Sequence, residues 1–326
     1  MELEKKDYDL VIVGAGPAAL SASIYSSRED IDTLLFEKGA IGGLAAVTDW
    51  VDNYPGFANG VAGLELSDAM RAQAERFGAK IELGEVTGLK KAGNFIKLDT
   101  TSGEVTAKAV LVATGSEYRK IGVPGEMDYY ARGVHYCATC DGAFYRDKRL
   151  VVVGGGNSAV QEGIFLTRFA THIDMLVRST LKASDVLIKE LDKHKDKITV
   201  HLGVTTDEII GENNHVTKVL GTDTKTGQKV EFSTDGVFVF VGLDPNTKFL
   251  EGSGIELDER QFIKSDPRLM TKVPGIFVAG DVRSGATLQI ASASGEGATA
   301  ALMIREYLEH HEKISSSTVV TLYGES

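Results

Sequence analysis

The chain has 326 residues, 43% hydrophobic and 25% charged, with a formal net charge of −11; the length suits two domains of ordinary size and the composition a soluble globular protein. The acidic balance argues against nucleic acid or an anionic membrane surface as the main partner, and no run of 18 apolar residues offers a membrane span. Met1 to Asp7 lacks an apolar signal core, and two cysteines at one place suit a reducing compartment, so a cytoplasmic location is expected.

Tyr8 to Val13 is a short apolar run ending at glycine, the pattern of a buried parallel strand. Gly14-Ala15-Gly16-Pro17-Ala18-Ala19 follows, and Leu20 to Ser27 reads as a helix. This is G-x-G-x-x-A in the strand–turn–helix context of a dinucleotide fingerprint. Gly14 allows the tight turn, Gly16 lets the backbone approach a pyrophosphate, and Ala19 permits close helix–strand packing. The next strand, Thr33 to Phe36, ends in Glu37, 18 residues after Ala19, where a ribose diol needs an acceptor. Gly42-Gly43-Leu44 forms a second close-approach turn, and Asn53-Tyr54-Pro55-Gly56 a polar, rigid loop. Leu64 to Phe77 has helical periodicity. Ile81 to Leu98 reads as two or three short strands around Gly93-Asn94, and Ala109 to Gly115 as a buried strand ending on glycine.

Cys137-Ala138-Thr139-Cys140-Asp141-Gly142 holds the only two cysteines of the chain. Two thiols three positions apart close a small disulfide ring with little loop entropy at stake. If Cys140 lies near the start of a helix, the dipole and free N–H groups there would favour a thiolate, and Asp141 puts a proton donor or acceptor beside the pair. Half a zinc site and a structural disulfide are the competing readings, but zinc wants four ligands and no second cysteine pair exists.

Then the pattern repeats. Val151 to Val160, with Gly154-Gly155-Gly156-Asn157-Ser158, copies Val11 to Leu20 at an offset of 140 residues. Lys229 to Phe232 and Gly236 to Gly242 copy the strands that end at Gly115. A repeat of this size means two nucleotide-binding domains of one design. Gly275 to Val282 is a further buried strand with Asp281 at its carboxyl end, where α/β folds bind ligands. Ala286 to Glu309 reads as a helix with Gln289 near its start. The expected architecture is therefore α/β: a first domain over 1–119 and 249–326, interrupted by a second over 120–248. His310 to Ser326 reads as a polar, flexible tail, although its β-branched stretch ending in Tyr323 has the character of a docking segment.

Two fingerprints, the central Cys-Ala-Thr-Cys-Asp and the late Gly-Asp-Val strand together resemble the low-molecular-weight thioredoxin reductases, from about Tyr8 to Leu308. The resemblance implies a homodimeric FAD flavoprotein that passes electrons from NADPH to thioredoxin. It implies that Cys140 faces the flavin, Cys137 attacks the substrate disulfide and Asp141 is the acid/base. It assigns FAD contacts to Gly14, Gly16, Pro17, Ala18, Ala19 and Glu37 in the first turn, to Gly42, Gly43, Leu44 and Asn53 after it, and to Val86, Ala113, Thr114 and Gly115. Gly280, Asp281, Gln289 and Ile290 complete that set. NADPH falls to Gly154, Gly156, Asn157, Ser158, Arg178 and Lys182.

The departures from the family pattern lie at these sites. Leu44 stands where the family has Gln, and Leu288 where it has Arg or Lys. The basic cluster that grips the 2′-phosphate is reduced to Val177-Arg178-Ser179-Thr180-Leu181-Lys182. The internal repeat gives an independent reading: Glu37 lies 23 positions after Gly14, and Val177 lies 23 positions after Gly154. Valine cannot accept from a ribose diol, so NADPH is expected over NADH. A related enzyme fed by ferredoxin or another flavin, and a non-catalytic flavin sensor, are the competing functions. Tyr323 is expected to stack on a flavin, its own or its dimer partner's.

Overall fold

The computed structural model describes residues 7–48 and 50–322, with backbone alone over 311–322. The chain forms two compact units, Met1–Glu117 with Asp244–Ser326, and Tyr118–Leu243. The crossings therefore fall at 117/118 and 243/244, beside the expected 119/120 and 248/249. The segments at the two crossings, Ser116–Tyr118 and Leu243–Pro245, pair as a two-stranded ribbon.

In the first unit, strand Asp7–Val13 lies between Thr33–Glu37 and Gly103–Val112, all parallel. Lys80–Leu83 extends one side, and Ile276–Val278 pairs on the far side of Gly103–Val112. Alternate residues explain the apolar runs. Leu10 and Ile12 pack into one cluster with Leu20, Ala300 and Ile304 of the helices, while Val11 and Val13 pack into another with Leu98 and Ile263. Both faces are covered, so neither tolerates polar residues.

Gly103–Val112 is ten residues long and starts well before the expected Ala109. Its first half is antiparallel to Phe95–Thr100, which in turn pairs with Val86–Ala92. Val105 and Ala107 there are buried while Thr106 and Lys108 are partly exposed. One strand thus serves a half-covered meander and a fully covered sheet, and only the second half carries an unbroken apolar run.

The second unit repeats the plan. Arg149–Val153 lies between His172–Val177 and Gly236–Val239, with Ile198–Leu202 and Val134–His135 outermost, all parallel. Val204–Glu212, His215–Asp223 and Lys229–Ser233 form its antiparallel meander. Leu150 and Val152 face one core cluster, and Val151 and Val153 the other. The architecture is that of two Rossmann-type domains, the second inserted in the first.

The last helix, Ile290–Leu322, departs from expectation at both ends. It starts after Leu288, whose left-handed φ of 59° interrupts the helical path. It passes Glu309 because no glycine or proline occurs between Gly297 and Gly324 to stop it. The expected flexible tail is therefore helical backbone as far as Leu322. Tyr323, expected over a flavin, lies outside the described residues. Among the described residues no helix is long and apolar enough to cross a membrane.

Candidate active site

The edge strand Val134–His135 delivers the chain directly into the dithiol turn. Cys137 and Cys140 are joined by a disulfide with their Cα atoms 5.3 Å apart. Cys137 is the N-cap of a single helical turn, Ala138–Asp141, and its Sγ accepts from the Cys140 N–H at 3.2 Å. Cys140 thus lies in the first turn of a helix, but the sulfur that accepts a free N–H there is that of Cys137. A hydrogen bond to sulfur favours its thiolate.

The residues on either side hold the turn in place. Tyr136 donates to Glu126 Oε1 at 2.8 Å, and Glu126 also accepts from the N–H groups of Ile121 and Gly122. Burial first, then the Glu126 contact, drives the Tyr136 phenol far above its ordinary range, so it stays neutral and anchored. The Lys120 ammonium lies 3.8 Å from the centroid of the Tyr136 ring. Asp141 places Oδ2 3.1 Å from His135 Nδ1 and keeps 20% of its side chain exposed. His135 and Tyr136 adjoin the dithiol in sequence, but nothing in their spacing, or in that of Glu126, marks these contacts.

Of the residues expected to hold FAD, Gly14, Glu37, Ala113 and Gly280 lie at or just past the carboxyl ends of parallel strands of the first unit. Gly14 has φ +105°, and a Cβ there would stand 2.5 Å from the Ala113 carbonyl oxygen. That close approach joins the first turn to Ala113-Thr114-Gly115. At Gly16 a Cβ would meet nothing within 4 Å, leaving a backbone surface open to a ligand. Gly42 N–H donates to the Ala15 carbonyl at 2.8 Å, which brings the second glycine turn against the first. Glu37 binds inward: Oε2 accepts from Ala15 N–H at 2.8 Å and Oε1 from Gly39 N–H at 2.7 Å. Each carboxylate oxygen retains a lone pair for a further donor. Asn53 Nδ2 donates to Gln289 Oε1 at 3.1 Å, joining two residues 236 apart in sequence. Val86 is buried at the start of its strand, and Leu44 is 37% exposed.

Asp281 lies beside a pair that the sequence did not reveal. Glu296 accepts from Gly280 N–H at 2.8 Å and is gripped by Arg283 at 3.0 and 2.5 Å. Burial, then the Glu296 charge, pushes the Asp281 carboxyl up to about 6. A half-buried carboxyl of this kind, just past the end of a strand, is suited to a ligand that brings hydroxyl donors.

The second fingerprint has the same backbone with a different lining. Gly154 has φ +144°, with a Cβ position 2.4 Å from the Phe240 carbonyl oxygen. At Gly155 the Cβ position is 2.6 Å from Val177 Cγ1. The valine methyl thus fills the space near the turn, whereas Glu37 at the equivalent place binds the turn backbone. Lys182 N–H donates to the Gly155 carbonyl at 2.7 Å, and Asn157 Oδ1 accepts from Ser184 N–H at 2.8 Å. These bonds fold residues 178–184 over the turn. Ser158, Arg178 and Lys182 are all exposed.

Residues 8–297 match the model of the pyridine nucleotide-disulphide oxidoreductase family. The thioredoxin reductase of Bacillus subtilis (strain 168) is 43% identical over 306 residues, spanning 94% of this chain and 96% of that protein. That of Treponema pallidum (strain Nichols) is 41% identical over 303 residues, 93% and 98% of the two chains. Among solved structures, the thioredoxin reductase of Streptococcus pyogenes MGAS5005 matches with a TM-score of 0.88 at 39% identity, covering 94% of this chain and 99% of that one. The two cysteines, the doubled fingerprint and these likenesses agree, and the chain belongs to the pyridine nucleotide-disulphide oxidoreductase family, among the thioredoxin reductases.

Proposed function

We propose that the protein is a cytoplasmic, homodimeric FAD enzyme that reduces the disulfide of thioredoxin with electrons from NADPH. The observation that carries this reading is the disulfide between Cys137 and Cys140, set in a capped turn with Asp141 alongside. Its reduced form carries the two electrons and two protons that a substrate disulfide needs.

Cys137 is the attacking sulfur, because its Sγ has the Cys140 N–H to stabilise a thiolate. It forms a bond to one substrate sulfur and the substrate S–S bond breaks. Cys140 then attacks Cys137, restoring the internal disulfide and releasing the second substrate thiol. Asp141 takes the proton from the dithiol and returns it to the departing thiolate.

The cradle in the first unit fits FAD. The backbone at Gly16 is open for a pyrophosphate, Glu37 has lone pairs for a ribose, and the half-buried Asp281 carboxyl suits hydroxyl donors. The family resemblance assigns the remaining FAD contacts to Pro17, Ala18, Ala19, Gly42, Gly43, Leu44, Asn53, Val86, Ala113, Thr114, Gly115, Gly280, Gln289 and Ile290. When bound, FAD supplies the carrier that couples hydride chemistry to sulfur chemistry. Gly154, Gly156, Asn157 and Ser158 form the NADPH turn, with Arg178 and Lys182 for the 2′-phosphate.

Steady-state turnover with thioredoxin as acceptor, and NADPH, NADH and reduced ferredoxin as rival donors, tests the proposal. NADPH-driven reduction that vanishes in Cys137→Ser is the expected result. Turnover with ferredoxin alone would replace the nicotinamide, and no thioredoxin reduction with any donor would refute the reading.

A further inference from the structure

We infer that His135 and Tyr145 form a relay behind the dithiol turn that positions Asp141 for its proton transfers. The inference rests on Asp141 as the acid/base of the dithiol, as read above.

Three side chains stand in line. His135 Nδ1 lies 3.1 Å from Asp141 Oδ2, and His135 Nε2 lies 2.6 Å from the Tyr145 hydroxyl. The imidazole is buried and its plane is fixed by rings. It stacks on Phe238 with centroids 5.2 Å apart, and Tyr145 stands edge-on to both His135 and Phe238. Strand pairing opposite Phe238 fixes the backbone of His135 as well.

The chemistry of the partners assigns the hydrogens. A carboxylate only accepts, so the imidazole nitrogen facing it, Nδ1, carries the hydrogen. In the neutral imidazole Nε2 is then a lone pair, and the Tyr145 hydroxyl donates to it. Tyr145 is suited to that duty: burial first, then the charges of Asp141 and Asp235, drive its phenol well above the ordinary range. Asp235 is itself paired with Lys148 at 3.5 Å. Oδ2 of Asp141 is thus occupied by the relay. Among the described residues Oδ1 has no hydrogen-bond partner, so proton exchange with the dithiol falls to Oδ1.

His135 and Tyr145 touch neither sulfur chemistry nor substrate here; they act through Asp141. The test is single-turnover oxidation of the pre-reduced holoenzyme by oxidised thioredoxin, with the flavin spectrum as the check on folding. Asp141→Asn should remove most of the roughly 10²–10⁴-fold that a positioned acid/base contributes. His135→Leu should slow exchange about 10-fold, a part of that contribution. His135→Asn places an N–H near the Nδ1 position and should restore most of the rate. In the Asp141→Asn background, His135→Leu should add nothing, because its effect passes through the missing carboxylate. Tyr145→Phe keeps the ring packing, loses the donor, and should slow exchange several-fold less than His135→Leu; it serves if the leucine variant does not fold.

An equal loss from His135→Leu in both backgrounds would overturn the relay and leave Asp141 in its role. So would wild-type exchange in a folded His135→Leu or Tyr145→Phe protein. Wild-type exchange in Asp141→Asn would overturn the acid/base reading, and the relay with it.

Discussion

Glu37→Ala removes an acceptor that serves the protein before any ligand arrives. Its Oε2 takes the N–H of Ala15, a fully buried residue, while its Oε1 takes the N–H of Gly39 at an exposed position. Water replaces the second bond at little cost. The first leaves a buried donor unpaired, worth about 1–3 kcal/mol. The FAD-free protein should therefore lose about that much stability, and the Gly14–Gly16 turn its fixed approach. FAD loses both the preformed turn and a ribose acceptor, so its Kd should rise by roughly 5- to 150-fold, the same energy expressed as affinity. Glu37→Gln keeps one acceptor for Ala15 and should show about half of each effect. Urea unfolding of the FAD-free protein and flavin-fluorescence titration read the two quantities separately. Glu37→Ala with unchanged apoprotein stability would refute the account of Ala15. Reduced stability with unchanged FAD affinity would refute the ribose contact.

Cys137→Ser and Cys140→Ser should each abolish thioredoxin reduction while flavin reduction by NADPH persists; stopped-flow absorbance at the flavin band separates the two, and a single variant with near wild-type turnover would remove the dithiol from the mechanism. Arg178→Ala should raise the KM for NADPH roughly 5-fold, from about 1 kcal/mol for an exposed charge contact, and leave the KM for NADH unchanged; equal effects on both would take Arg178 away from the phosphate. Asp281 makes a pH prediction. Its folded pKa of about 6 lies above the ordinary 3.8, so the folded state binds the extra proton and loses stability as pH rises from about 4 to 6. The loss is about 3 kcal/mol in the FAD-free protein. Asp281→Asn should be more stable than wild type at pH 7.5 and level with it at pH 4; a difference that does not change with pH would show that burial does not act on this carboxyl.

Much of the molecule was legible in sequence, and the reason is local. Leu10–Val13 and Val151–Val153 are buried on both faces, so their apolar runs announce parallel strands without knowledge of their neighbours. The fingerprints are legible for the same reason: Gly14 and Gly154 are demanded by backbone conformation, which any reader of the local chain can infer. The repeat at an offset of 140 residues exposed the doubled design, and Val177 opposite Glu37 the difference in its lining. What the sequence could not carry were partnerships across long separations. Asn53 meets Gln289 after 236 residues, Glu296 and Arg283 enclose Gly280, and Asn246 bonds Thr114 across 132. Nor could it tell which cysteine sulfur meets the free N–H, since that depends on where one helical turn begins. His135 and Tyr145 carry no motif at all; a strand register and a stack of rings bring them to Asp141. Backbone geometry is a property of a few adjacent residues and is written in them, whereas the proton partners of a buried side chain are decided only when distant strands pack against one another.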